Sequence, residues 1–315
     1  MLFQKSKYFL LLSFLGLCLQ GYTQIAVIPN PTEPIPLWQG KGRIIISADG
    51  NEHDHDDWGA TALSLAIIAA KGLQNKLALY IYSDHIWGSN HEHPGFDGVT
   101  PYQQMRISAI EGGKMFRFKN TQFLCAVDAP EIAYEALKAQ INLSDSANPL
   151  FIVASGPLQV IGEAISRADN NKIQFVTVIS ADNCWNDTHA DKPYTSWEQH
   201  SGWTMEKIKN NFRTNAGGKL KIVSIENQNP LLKKNWKEYE WLISAPERNN
   251  TFYKKGSWLW LFNRLCSTAK PEGVDRDYNY SMDPSDAGKV IFLLTGIAKT
   301  SPQLCYELMK SPSRN

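Results

Sequence analysis

Five acidic residues crowd into nine positions of the stretch Asp49-Gly-Asn-Glu-His-Asp-His-Asp-Asp57. They are Asp49, Glu52, Asp54, Asp56 and Asp57. Carboxylates this close repel one another unless a cation or solvent compensates their charge. Oxygen ligands at loosely spaced loop positions suit Ca²⁺, which accepts several oxygens in a flexible geometry. The alternative is a solvated acidic loop before a helix, because carboxylates are favoured at helix N-termini.

The elements that must position this cluster alternate between strand and helix patterns. A β-branched run at Arg43–Ser47 predicts a strand directly before it, and helical spacing over Trp58–Gly72 predicts a helix directly after it. Further strands are predicted at Leu77–Tyr82, Gln122–Ala126, Leu150–Ala154, Ile173–Ile179 and Leu220–Ile225. Further helices are predicted at Glu131–Gln140, Leu158–Arg167, Trp236–Ile243, Trp258–Leu265 and Asp286–Thr295.

This alternation predicts an α/β fold, a single domain built on a doubly wound, mostly parallel sheet. In such sheets, ligands bind beyond the carboxyl ends of the strands. The acidic cluster and most of the other unusual side chains follow predicted strands, so we expect the chemistry there.

The N-terminus has the pattern of a signal peptide. Lys5 and Lys7 precede the apolar run Tyr8–Leu19, and small residues flank an expected signal-peptidase cleavage site before Gln24. The run is about 12 residues long, which is short for a membrane-spanning helix. We therefore expect a signal peptide in residues 1–23, an extended Pro-rich lead-in in 24–42, and a catalytic domain in 43–315. The protein is expected to be exported, periplasmic or secreted, and a lipid anchor at Cys18 is the less favoured alternative.

The overall charge excludes some partners. Lys and Arg total 32 against 31 Asp and Glu, a formal net charge of +1, so nothing favours capture of nucleic acid or stable insertion in a membrane. A neutral or modestly charged small-molecule ligand fits this charge balance better, and a homo-oligomer is compatible with the sequence. None of Cys125, Cys184, Cys266 and Cys305 forms a CxxC pair, which leaves buried thiols or one to two disulfides.

Several segments resemble nucleoside hydrolases. The stretch Ile44–Leu63 resembles their first strand and loop, in which an Asp ends the strand and an Asp-Asp pair follows. It is most similar to an exported nucleoside-hydrolase-like branch whose loop reads Asp-x-x-Asn-Glu-x-Asp-Asp. Phe151–Ala164 is similar to the strand and Gly-Pro-Leu-Thr-Asn turn of the family. Asp283-Pro-Ser-Asp-Ala-Gly288 is similar to the start of the late helix that carries a metal-binding Asp, and Val178–Asn183 resembles another strand-end loop.

The resemblance implies a metal-dependent glycosidase. Its ligands for Ca²⁺ would be Asp49, Asp57, Asp286 and the Ser155 carbonyl, with Asp56 beside them. The metal would bind a water molecule that attacks the anomeric carbon, while Asp49 takes the proton. Ser285 stands where the family usually has a His, and the Glu-Phe-Asn motif that binds ribose is not recognisable. The implied substrate therefore extends beyond nucleosides to other small glycosides.

Other polar and aromatic residues follow the predicted strands. His85 and His189 are candidate general acids, because an imidazole titrates near neutral pH. Tryptophan rings can stack on a sugar or base, although core packing is their more common role. The candidate substrate-binding residues are Asn51, Glu52, Trp87, Asn90, Asn183 and Trp185.

Two further functions remain open. His53 and His55 with Asp57 form an HxHxD pattern like that of zinc metallo-β-lactamase-fold hydrolases, although Trp58 stands where that motif ends in His. The other alternative is an exported carbohydrate-binding protein that has kept the fold and lost catalysis.

Overall fold

The computed structural model describes residues 34–50, 55–86, 100–181, 202–214, 220–247, 254–269 and 281–310. Contacts between Cα atoms group Pro34–Asn315 into one compact unit. The proposed signal peptide and the first part of the lead-in lie outside the described residues. Within the described ranges, no helix combines the length and apolar character needed to cross a membrane.

A six-stranded sheet forms the centre of the fold, and all five of its neighbouring strand pairs are parallel. The strand order is β3-β2-β1-β4-β5-β6. The predicted α/β fold with a doubly wound, mostly parallel sheet is therefore confirmed. The strands are β1 Arg43–Ala48, β2 Leu77–Tyr82, β3 Gln122–Cys125, β4 Leu150–Ser155, β5 Val176–Ala181 and β6 Lys221–Ile225. A separate antiparallel pair joins β7 Lys234–Asn235 to β8 Ser281–Met282.

Helices connect these strands. They are α1 Asp56–Ala70, α2 Pro101–Arg106, α3 Gly112–Met115, α4 Pro130–Asn142, α5 Gln159–Arg167, α6 Asn170–Ile173, α7 Met205–Lys209, α8 Asn229–Leu232, α9 Trp241–Ser244, α10 Ser257–Cys266, α11 Gly288–Thr295 and α12 Pro302–Lys310. Short 3₁₀ turns lie at Gln74–Lys76, Trp236–Tyr239 and Ser285–Ala287, and π-helical turns at Ile107–Glu111 and Asn210–Thr214.

Two predicted elements differ from the structure. The strand expected from Ile173 begins at Val176, because the Asp169 side chain accepts a hydrogen bond from the Asn171 backbone N–H and caps the short helix α6, which ends at Ile173. The helix expected over Trp236–Ile243 is divided into a 3₁₀ turn and α9. There the buried Tyr239 hydroxyl donates to the Leu232 carbonyl at 2.6 Å, which holds the chain in a tight turn.

Each face of the sheet is covered by a hydrophobic layer. Side chains of a strand alternate between faces, so Ile46 packs with α1 in one layer and Ile45 packs with α4 and α5 in the other. Both isoleucines are almost completely buried. Because helices cover both faces of the sheet, the sequence of each central strand is a continuous apolar run.

The strand order reverses between β1 and β4. From β1 the chain adds β2 and β3 on one side, and then returns to place β4, β5 and β6 on the other. In an open parallel sheet, such a reversal leaves a crevice at the carboxyl ends of the two central strands. The fold therefore directs the residues after β1 and β4 to one place.

Candidate functional site

Asp49 lies in the crevice between β1 and β4. Ala48 at the end of β1 pairs with Ser155 at the end of β4, and the Asp49 backbone N–H donates to the Ser155 carbonyl at 3.1 Å. Asp49 is 6% exposed. The structure thus brings together two of the residues predicted to act at this site.

His85 lies against Asp49. Its Nδ1 atom is 3.1 Å from Oδ1 of Asp49, and the residue is 1% exposed. Backbone bonds from Ser83 to the Asp49 carbonyl and from Asp84 to the Ala48 carbonyl join the end of β2 to the end of β1. The other ring nitrogen of His85, Nε2, has no hydrogen-bond partner among the described residues. The imidazole therefore contacts the carboxylate through its Nδ1 side.

Asp84 is a site residue that the sequence analysis missed. Its side chain is fully buried, and its Oδ2 accepts a hydrogen bond from the Ser47 hydroxyl at 2.6 Å. Burial raises the pKa of Asp84 well above its usual range, and the nearby charges of Asp49 and, to a smaller extent, Asp286 raise it further. Its second oxygen, Oδ1, has no partner within the described part of the chain. The position directly after a strand was the available signal.

A strained turn and a glycine hold these groups in place. Ser83 adopts φ +54°, a left-handed conformation that is uncommon for residues other than glycine. After β4, a Cβ atom on Gly156 would lie 2.7 Å from both the Asp49 backbone nitrogen and Asp84 Oδ1. Only glycine therefore fits at this position without displacing the two aspartates.

Acidic residues at the start of α1 face the late turn at Ser285–Ala287. Asp57 is buried, and Asp56 is partly buried and accepts a hydrogen bond from the Ser285 hydroxyl at 2.8 Å. Burial is the main cause of the raised pKa of Tyr80, and the charges of Asp57, Asp286 and Asp84 also raise it. These three carboxyl groups are therefore near the same phenol.

A buried lysine contacts the late aspartate. Lys289 is 2% exposed, and its Nζ atom lies 2.5 Å from Oδ1 of Asp286. The sequence predicts both residues on one helix, Asp286–Thr295. Residues three apart on a helix lie on the same face, so their spacing carried the signal for this contact.

The donor types of this site suit a calcium ion. The donors are mainly carboxylate oxygens, and the buried Asp84 Oδ1 atom has no hydrogen-bond partner among the described residues, which suits a hard cation. Among the described residues, however, no group of three or more His, Cys, Asp or Glu side chains is placed to hold a metal. Asp286 contacts Lys289 instead. The donor chemistry fits Ca²⁺, and the assignment of Asp49, Asp56, Asp57, Ser155 and Asp286 as its ligands stays a prediction.

Several predicted residues lie outside the described residues. They are Asn51, Glu52, His53, Trp87, Asn90, Asn183, Trp185 and His189. His55 directly precedes α1, and its ring centroid is 5.1 Å from that of Trp58. The metallo-β-lactamase interpretation also stays a prediction. Cys125 and Cys305 are free thiols, and Cys184 is not among the described residues.

Comparison with known proteins finds a curated relative, and two of the solved structures that the chain resembles are nucleoside hydrolases. No protein-family model matches the chain. The uncharacterized protein P22 of Formosa agariphila is 28% identical over 260 residues, which cover 81% of this chain and 84% of that protein. An inosine-guanosine nucleoside hydrolase is 12% identical at a TM-score of 0.47, covering 80% of this chain and 78% of its own. An inosine-uridine preferring nucleoside hydrolase from Bacillus anthracis is 14% identical at a TM-score of 0.43, covering 86% and 99%.

Proposed function

We propose that this protein is a hydrolase that cleaves the glycosidic bond of a nucleoside or a related small glycoside. The observation that carries the proposal is the buried Asp49–His85 pair in the crevice between β1 and β4. A carboxylate and an imidazole in contact can accept and return a proton during one reaction. The crevice at a strand-order reversal is also where α/β sheets bind small ligands.

Asp49 is the proposed general base. A water molecule beside its carboxylate would give up a proton to it while attacking the anomeric carbon of the sugar. His85 would then orient Asp49 through Nδ1 and present Nε2 to the leaving group. An imidazole in this position can donate a proton to the departing oxygen or nitrogen.

The buried carboxyl group of Asp84 supports the proposed roles of Asp49 as base and His85 as acid. Two neighbouring carboxyl groups resist ionising together, and the raised pKa of Asp84 assigns the proton to it. Asp84 would then hold a proton beside Asp49, the proposed base. The Ser47 hydroxyl fixes the orientation of Asp84.

Calcium belongs to the proposal as the cofactor that the carboxylates would hold. Asp49, Asp57, Asp286 and the Ser155 carbonyl would be its ligands, with Asp56 beside them, and the ion would supply Lewis-acid activation of the attacking water. Asp56 also accepts a hydrogen bond from the Ser285 hydroxyl. Ser285 stands at the position where nucleoside hydrolases usually have a His. We therefore extend the proposed substrates to glycosides other than nucleosides. We also propose that the enzyme is exported and meets these substrates outside the cytoplasm.

A substrate panel tests this proposal. The purified protein would be incubated with nucleosides and aryl glycosides, with added Ca²⁺ or with a chelator, and the released sugar and leaving group would be quantified. We expect turnover of at least one class of substrate, lower in the chelator. Binding of sugars by calorimetry with no turnover under either condition would contradict the proposal and favour the carbohydrate-binding alternative.

A further inference from the structure

Lys289 is an unusual feature of a site expected to bind a metal. It lies at the first turn of α11, 2% exposed, and contacts Asp286, a proposed ligand of Ca²⁺. A lysine is seldom buried unless its charge is compensated, because removing an ammonium from water is costly. Asp286 supplies that compensation.

The same carboxylate cannot serve both cations fully. The ammonium of Lys289 occupies Oδ1 of Asp286, and a divalent ion beside that oxygen would meet a like charge at close range. Asp286 is also near enough to Asp84 to raise its pKa, so the carboxyl group that Lys289 contacts is close to Asp84 as well. Metal binding and the lysine contact therefore oppose each other.

We propose that Lys289 is a built-in competing cation, which compensates the acidic site when no metal is bound and lowers the affinity of the site for Ca²⁺. The inference rests on the proposed function in that the same carboxylates form the catalytic centre. Binding of the metal is measured without substrate, so the two claims fail separately.

Calorimetric titration of the full chain with Ca²⁺ tests the inference. Lys289→Met removes the charge and keeps an unbranched side chain, and we expect it to bind Ca²⁺ about tenfold more tightly than the wild type, a typical size for coupling between two sites. Lys289→Arg keeps the charge and should bind like the wild type. The control is Lys310→Met, since Lys310 forms a partly exposed pair with Glu307, also three residues away, at 2.7 Å. This control should also leave the affinity unchanged.

Two results would overturn the inference. One is an unchanged or weaker affinity in Lys289→Met with an unfolding transition like that of the wild type. The other is an equal gain in the Lys310→Met control. If Lys289→Met does not fold, amine labelling of the wild type followed by mass spectrometry gives the answer. We expect Ca²⁺ to increase the labelling of Lys289, and no increase would overturn the inference.

Discussion

Three buried side chains lie together at the crevice between β1 and β4. Asp84 is fully buried between the Ser47 hydroxyl and the turn at Gly156, while Asp49 is in contact with His85. Because Asp84 is both desolvated and close to Asp49, its pKa is raised, and it keeps its proton at pH values where an ordinary aspartate is ionised. A proton held on Asp84 is consistent with the proposal that the neighbouring Asp49 acts as the base.

The raised pKa of Asp84 predicts a pH-dependent stability. Between the pKa of an unfolded aspartate, about 4, and the higher folded value, the folded protein holds a proton that the unfolded chain has released. The free energy of unfolding therefore falls as pH rises through this window. In Asp84→Asn, this contribution to the fall should disappear. Urea unfolding of both proteins at several pH values, with a chelator present, measures the slopes, and equal slopes would contradict the assignment.

The sequence indicates some of these residues and conceals others. Asp49 was predictable because it follows a strongly apolar strand. Asp84 and Lys289 were missed because their roles depend on pairing and burial, which a pattern of residue types does not show. The Ser47 hydroxyl that orients Asp84 is 37 positions away, and the Ser285 hydroxyl that contacts Asp56 is 229 positions away. Contacts of this range are set by the strand order.

At the scale of elements, the turn after β4 helps to position Asp49 and Asp84 relative to each other. A methyl group at Gly156 would press on the Asp49 backbone and the Asp84 carboxyl group at about 2.7 Å. The apolar strands β1, β2 and β4 were predicted closely, because burial on both faces requires continuous apolar runs. The division of the helix near Trp236 was not predicted, because it depends on one hydrogen bond from the buried Tyr239 hydroxyl.

Substitution of Gly156 tests this role. We expect Gly156→Ala to destabilise the protein by about 1–3 kcal/mol through overpacking, and to lower kcat/KM by about 10²-fold because the site residues shift. The matched control is Gly113→Ala in α3, whose added Cβ would meet the Phe123 ring at 2.8 Å. It should affect stability alone. Thermal unfolding and initial rates on the same preparations compare the two, and equal losses of activity would contradict a specific role for Gly156.

At the scale of the whole molecule, the two hydrophobic layers meet at one sheet. Ile45 and Ile46 are neighbours on β1 that pack into opposite layers. If Pro34–Asn315 unfolds as one unit, both layers must be lost together. Ile45→Ala and Ile46→Ala should each reduce the free energy of unfolding by about 2–5 kcal/mol. Each should also keep a single transition by circular dichroism and by tryptophan fluorescence. Two separate transitions in either variant would show that the layers fold independently.

The proposed role of Asp49 as general base is tested most directly by the rate of sugar release. The rate for Asp49→Asn, on the best substrate of the panel, is compared with the rate for Asp128→Asn. Asp128 also lies beyond the end of a parallel strand, β3, but it is exposed and accepts a hydrogen bond from the Tyr102 hydroxyl at 2.6 Å. We expect Asp49→Asn to fold normally and lose about 10²–10⁴-fold in kcat/KM, while Asp128→Asn retains wild-type activity. Full activity in a folded Asp49→Asn protein would contradict the proposed catalytic site.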